Sequence, residues 1–157
     1  MKPMPASRTF LMGKYPAELP GELRYCKNHM WCRVGPDNIH TFGFTAYAVR
    51  LMQDVYFLEW RIEPGWVTAK QEIGFIETQK ATSGLYAPVS GQIVQFNAAL
   101  LNDPGTINLD NYGAGWLFQL QGDIRETLDV DEYYSHLETG WENTQRLLKG
   151  QINAAGD

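Results

Sequence analysis

From about residue 22 to residue 121, short apolar stretches alternate with turn signals: Gly35-Pro36-Asp37-Asn38, Glu63-Pro64-Gly65, Asn102-Asp103-Pro104-Gly105 and Asp110-Asn111-Tyr112-Gly113. Strand-length runs bounded by such residues predict an all-β sandwich or barrel. The clearest pair of strands covers 73–79 and 86–96, where Val, Ile, Phe and Tyr dominate. Between them lie Lys80, Ala81, Thr82, Ser83 and Gly84, whose small and polar side chains mark a reversal. Residues 45–51 suit a helical turn leading into a strand at 54–60. Trp116, Leu117 and Phe118 alternate along a further strand, at least one side of which should be buried.

After residue 121 the period changes. Val130, Tyr133, Tyr134, Leu137, Trp141, Thr144 and Leu148 recur at helical spacings and form one face of a C-terminal helix. Thr127 or Asp129 can cap its start, Asp131 and Glu132 complement its dipole, and Arg146 and Lys149 fall in its last turn. Gly150 offers a left-handed stop. Gly140 costs roughly 1 kcal/mol relative to Ala inside a helix, which close packing beside Trp141 would explain. At the other end, 1–21 holds Pro3, Pro5, Pro16 and Pro20 with Gly13 and Gly21 and no sustained period. It reads as an extension without its own core, pinned by Phe10, Leu11 and Tyr15. The expected organisation is an extension over 1–21, one domain over 22–150 that includes the helix, and a tail over 151–157.

Composition narrows the function classes. A chain of 157 residues suits one domain, large enough to bury roughly 70% of its unfolded surface. No apolar run approaches the length of a membrane span, and no apolar h-region follows Met1, so neither a membrane segment nor a secretory signal is expected. The net charge of −5 is unsuited to nucleic acid. The 2 cysteines form no disulfide framework and fit a reducing cytoplasm, or a mitochondrial matrix if the source is eukaryotic.

Cys26, His29 and Cys32 invite a metal reading. On one extended strand the two cysteines would face one side and the histidine the other, with the cysteine Cα atoms roughly 20 Å apart. That separation also rules out a disulfide, although a turn at Lys27-Asn28 would weaken both exclusions. No fourth ligand stands at a zinc-like spacing, so no metal site is expected. Nucleophile elbows, zinc-protease words and phosphate loops are missing, Ser90 precedes a strand rather than a helix, and Glu59 and Glu63 read as a solvated strand face. No self-contained catalytic constellation emerges, and the chain reads as a carrier rather than an enzyme.

Lys80 carries the strongest functional signal. A lysine at a hairpin tip has its ammonium in water and its stem free of packing, which suits an amine that another enzyme must acylate. The words around it are Glu77-Thr78-Gln79-Lys80-Ala81-Thr82-Ser83, Leu85-Tyr86-Ala87-Pro88-Val89-Ser90-Gly91, Asn97-Ala98-Ala99-Leu100 and Tyr112-Gly113-Ala114-Gly115-Trp116-Leu117-Phe118. Upstream stand His29-Met30-Trp31 and Gly43-Phe44-Thr45-Ala46-Tyr47-Ala48. In order and register, from about Leu23 to Leu148, these resemble the glycine cleavage system H-protein family.

The resemblance implies a mainly β, hybrid barrel-sandwich fold of the lipoyl type with a C-terminal helix. It implies lipoate attached covalently to Lys80, with Glu77 and Ser83 as recognition context for a lipoylating enzyme. It also implies a shuttle that carries an aminomethyl group between glycine decarboxylase and aminomethyltransferase and is reoxidised by dihydrolipoyl dehydrogenase.

Four positions depart from the family's words. Met30 stands for glutamate, Ala46 for aspartate or asparagine, Gln79 for valine or threonine, and Gly84 for an acidic residue. Met30 is expected to remove a carboxylate from beside a cationic adduct, so that Met30→Glu with Ala46→Asp would restore an exposed ion pair. Loss of the acid at Gly84 is expected to alter recognition by the lipoylating enzyme. Two alternatives stay open: a lipoate-binding paralogue in heterodisulfide-reductase-like sulfur oxidation, and a non-lipoylated scaffold module.

Overall fold

The structure, a computed structural model, describes residues 4–156, with side chains described as far as residue 143. The chain opens with a hairpin of β1 (Arg8–Met12) and β2 (Tyr15–Leu19). β3 (Arg24–Tyr25), β4 (Met30–Arg33) and β5 (Ile39–Phe44) follow, then helix α1 (Ala46–Met52), β6 (Val55–Trp60), β7 (Trp66–Val67), β8 (Glu72–Thr78), β9 (Thr82–Tyr86) and β10 (Gly91–Phe96). Two single-turn helices, α2 (Ala99–Asn102) and α3 (Thr106–Leu109), precede β11 (Phe118–Gln121) and the long α4 (Val130–Gly156). A six-stranded sheet runs in the order β3-β4-β5-β11-β10-β7, and a three-stranded sheet in the order β6-β8-β9. Their pairings are antiparallel.

The two sheets share one core. Met30, Phe42, Ile93 and Phe118 enter it from the larger sheet, and Leu58, Ile73, Ile76 and Leu85 from the smaller. Burial of this kind contributes roughly 1.5–3 kcal/mol per large apolar side chain and fixes the strand registers. The larger sheet has a second apolar face at β3 and β4, where Tyr25 and Trp31 pack with Tyr133 and Leu137 of α4 and with the N-terminal hairpin. β4 is therefore covered on both sides, which is why Met30, Trp31 and Cys32 are all buried without alternation. Trp31 lies across Gly43, its register partner. A Cβ at Gly43 would sit 2.5 Å from the indole, so only glycine fits.

The mainly β sandwich with a C-terminal helix matches the expected fold class, and several local readings change. The N-terminal segment forms β1 and β2, whose residues Phe10, Met12, Ala17 and Leu19 are buried in the second cluster, while Leu11 and Tyr15 are exposed. The alternation was present in 8–19 but is only five residues long on each strand, too short to stand out among prolines. Pro16 fits because it lies on a two-stranded edge. The single run expected over 86–96 is divided, with Ala87–Ser90 outside both strands. Leu117 and Phe118 are fully buried and Trp116 partly so, but the strand proper begins at Phe118.

The helical turn at 45–51 is α1, capped by Thr45, whose hydroxyl accepts from the Ala48 amide. Asp129 rather than Thr127 caps α4. Its carboxylate accepts from the Glu132 amide at 2.8 Å, and Glu132 accepts from the Asp129 amide at 2.9 Å, a reciprocal capping box. Thr127 instead donates to the Ile124 carbonyl and accepts from Arg24. α4 continues through Gly150, since glycine permits a left-handed stop without imposing one. Thr144 and Leu148, expected on the packed face, lie beyond the described side chains. A Cβ at Gly140 meets nothing within 4 Å, so close packing does not explain that glycine. No described helix is long and apolar enough to cross a membrane.

Candidate functional site

β8 and β9 form a hairpin on the smaller sheet; Gln79, Lys80 and Ala81 lie between the strands, and the Thr78 amide closes on the Ala81 carbonyl around a two-residue tip, Gln79-Lys80. The reversal is tighter than the five residues expected from the sequence, because Thr82–Tyr86 is already strand. Gly84 lies within that strand rather than at the turn, opposite Phe75. Neither Gln79 nor Lys80 has a positive φ, so the tip needs no glycine.

Thr78 organises this tip. Its backbone amide donates to the Ala81 carbonyl at 2.9 Å. Its hydroxyl accepts from the amides of Lys80 at 3.2 Å and Ala81 at 3.3 Å, and donates to the Ala81 carbonyl at 3.3 Å. The side chain is 6% exposed while Gln79 to Ser83 are all exposed. Sequence reasoning passed over Thr78, although a Thr two residues before a turn centre is a recognised side-chain turn signal.

Lys80 projects from this tip into solvent, and its ammonium has no protein partner among the described residues. Glu77 is half-buried opposite Thr82, and Ser83 is exposed opposite Ile76. Strand alternation places Glu77 and Ser83 on opposite faces of the hairpin, so both flank the lysine but do not converge. The outer face behind Glu77 is aromatic: the Phe57 and Phe75 rings lie 5.7 Å apart, and the Arg61 guanidinium sits 4.7 Å over Phe75.

A separate open cavity of about 760 Å³ lies between the β3–β4 turn and the far end of β9, lined in part by Cys26, Asn28, Lys70, Tyr86, Asp123 and Arg125. Asn28 donates to the Tyr86 carbonyl at 3.2 Å and ties the two rims together. Lys70 is also exposed, but it sits in a left-handed bend (φ 73°) between strands, with its amide on the Ala87 carbonyl, and not at a hairpin tip.

Cys26, His29 and Cys32 are not on one strand. Cys26 and Met30 close a three-residue loop in which His29 takes the left-handed position (φ 68°). Both thiols are free and packed in the shared core, and burial pushes each up to about 12, which favours the thiol over the thiolate. His29 turns the other way. Its Nδ1 lies 2.9 Å from the Tyr133 hydroxyl, which in turn meets the Thr45 hydroxyl at 2.9 Å. Burial first, and then His136 nearby, push the His29 imidazole down to about 4.

Three of the four departures have a local structural setting, and nothing in the structure explains Gln79. Met30 is 2% exposed in the core, so it does not border an open site, and the expectation that a glutamate there would form an exposed ion pair is overturned. Ala46 opens α1 against the second cluster, with its amide donating to the Tyr112 hydroxyl at 2.9 Å. Gly84 lies under the Tyr86 phenol, whose oxygen a Cβ would approach to 2.7 Å. Gln79 is simply exposed at the tip.

Comparison with known proteins accords with this architecture. The family model described as glycine cleavage H-protein matches residues 23–141. The glycine cleavage system H protein of Coxiella burnetii is 36% identical over 126 residues, covering 78% of this chain and 97% of that protein. That of Psychrobacter cryohalolentis is 38% identical over 125 residues, covering 77% and 99%. The crystal structure of a glycine cleavage system H protein from Mycobacterium marinum superposes with a TM-score of 0.68 at 36% identity, covering 74% of this chain and 97% of that one. The β1–β2 hairpin precedes the matched segment. With two sheets around one core, the hairpin-tip lysine and the matched family words, this chain belongs to the glycine cleavage H-protein family.

Proposed function

We propose that this chain is the lipoyl carrier of a glycine cleavage system and that Lys80 is the residue that bears lipoate. The carrying observation is the position of Lys80: an exposed amine without a protein partner among the described residues, at the tip of a hairpin whose base is locked into the core by Ile73, Ile76 and Leu85. A rigid base with a solvated tip presents the lysine to partners while excluding it from the fold's own packing. Bound in amide linkage, lipoate would supply a cyclic disulfide that opens to accept a transferred group and is closed again by oxidation.

The chain's own residues hold and present that attachment point. Thr78 fixes the turn, Glu77 and Ser83 offer a carboxylate and a hydroxyl on the two faces beside it, and the aromatic pair Phe57–Phe75 backs the acidic face. Glu77 and Ser83 serve recognition by the lipoylating enzyme in this reading. The partners are glycine decarboxylase, aminomethyltransferase and dihydrolipoyl dehydrogenase, all met in the cytoplasm, and the buried, protonated thiols of Cys26 and Cys32 stand outside the carrier's disulfide exchange. Family membership supports this role over the sulfur-oxidation paralogue, and the free Lys80 tip supports it over a scaffold.

The test is glycine–bicarbonate exchange with decarboxylase and the lipoylated chain. Exchange is expected with the native sequence and lost in Lys80→Arg. Failure of the fully lipoylated native protein, with an ordinary H protein active alongside, would contradict the role.

A further inference from the structure

We infer that Thr78 is the positioning residue for modification of Lys80, which rests on the reading of Lys80 as the lipoylated amine. Two-residue hairpins favour turns with positive φ at a central residue, because that backbone twist matches the twist of the strands. Here neither central residue has a positive φ, so the tip does not use the turns whose twist matches the strands best and needs another support. In a regular two-residue hairpin the amide after the loop also closes on the backbone carbonyl before it. The Ala81 amide donates instead to the Thr78 hydroxyl, as does the Lys80 amide, and the hydroxyl proton goes to the Ala81 carbonyl. A hydroxyl has one donor and two acceptor sites, and all three are used on the tip.

The anchor is firm because the Thr78 side chain is 6% exposed and held by the sheet, while everything it grips is in solvent. It thereby fixes where the Lys80 Cα sits and which way its side chain leaves the hairpin. Acylation needs that direction. The neutral Lys80 amine attacks the carbonyl carbon of an activated lipoyl group, a mixed anhydride with a phosphate. The C–N bond forms, the acyl–oxygen bond to phosphate breaks with its electron pair leaving on the phosphate, and the amine's proton passes to a base of the modifying enzyme. A tip that samples several orientations presents the amine correctly for only part of the time, which lowers the rate without any loss of fold.

The experiment measures kcat/KM of a lipoate–protein ligase, with lipoate and ATP, on the full chain and its Thr78→Val, Thr78→Ala and Thr78→Ser variants. Modification sites are mapped by mass spectrometry, and fold is checked by circular dichroism. Val keeps the branched shape without the hydroxyl, Ala controls for shape, and Ser restores the hydroxyl. Val and Ala are expected to lower kcat/KM on the order of tenfold, Ser to remain within about twofold of native, and Lys80 and Ala81 amide exchange to quicken only in Val and Ala. Native rates in folded Val and Ala variants would overturn the inference alone. Equal losses in Ser and Val would also overturn it, because the hydroxyl would then be irrelevant. A native chain modified elsewhere than Lys80 would sink the Lys80 reading and this inference with it.

Discussion

The side chain of Met30 lies in the core between the two sheets, 2% exposed, at the position where the family's usual word has glutamate. A substitution that looked like lost charge beside a cargo is, at this residue, a matter of packing. Met30→Glu is expected to lower the unfolding free energy by roughly 3–5 kcal/mol, the scale of an uncompensated buried charge. Met30→Leu should change it by less than about 1.5 kcal/mol. Urea denaturation of both variants checks this, and a Glu variant as stable as the Leu variant would mean the side chain reaches solvent. The sequence could not reveal this burial because β4 is covered on both faces, so the usual alternation that separates inside from outside is missing there. Lys80 was legible for the opposite reason: its exposure follows from the turn, and the turn follows from local residues.

At the scale of elements, α4 packs on the sheet through aliphatic and aromatic side chains, Val130 and Leu137 beside Tyr133, and a polar cluster at His29 crosses that apolar interface. His29 reaches the Tyr133 hydroxyl, its ring lies 4.9 Å from Tyr47 and 5.7 Å from His136, and His136 also meets the Lys27 carbonyl at 3.3 Å. No carboxylate among the described residues pairs with His29. Its folded pKa of about 4 lies below the ordinary 6.5, so between those values the unfolded chain binds a proton that the folded chain excludes. The stabilising contribution is complete above about pH 6.5 and is lost as pH falls toward 4. His29→Asn suits the left-handed backbone and removes the titration, so its denaturation midpoint should fall less than native between pH 7 and pH 4.5. An equal fall would place the acid sensitivity elsewhere. Along the same helix, Gly140→Ala should raise stability by about 1 kcal/mol, since a Cβ there meets nothing within 4 Å, and thermal melting reads it directly. The helix itself was plain in the sequence from its spacing. Its cap remained ambiguous until Asp129 and Glu132 were seen to bond reciprocally, because Thr127 is also a capping residue by type, if a weaker one.

For the whole molecule, the sandwich gives Lys80 a fixed platform, and the N-terminal hairpin adds a cover over the second cluster that the matched family segment does not include. The sheet architecture was readable because turn residues punctuate the strands regularly. The hairpin was not, because its burial depends on Tyr47 and Trp141, which lie far away in sequence and approach Phe10 to 5.8 and 6.3 Å. The pairing of β3 with β4 was left open in the sequence as a turn at Lys27-Asn28: the loop completes its turn at His29, a residue type enriched in the left-handed region but too seldom there to mark a turn by itself. The central claim remains that this fold exists to present one amine. Peptide mapping of the chain after expression in a lipoylating host tests it most directly. The account predicts lipoate on Lys80, with Lys70 unmodified although it too is exposed; lipoate on Lys70 with Lys80 free, or an unmodified chain beside a fully lipoylated control carrier, would contradict it.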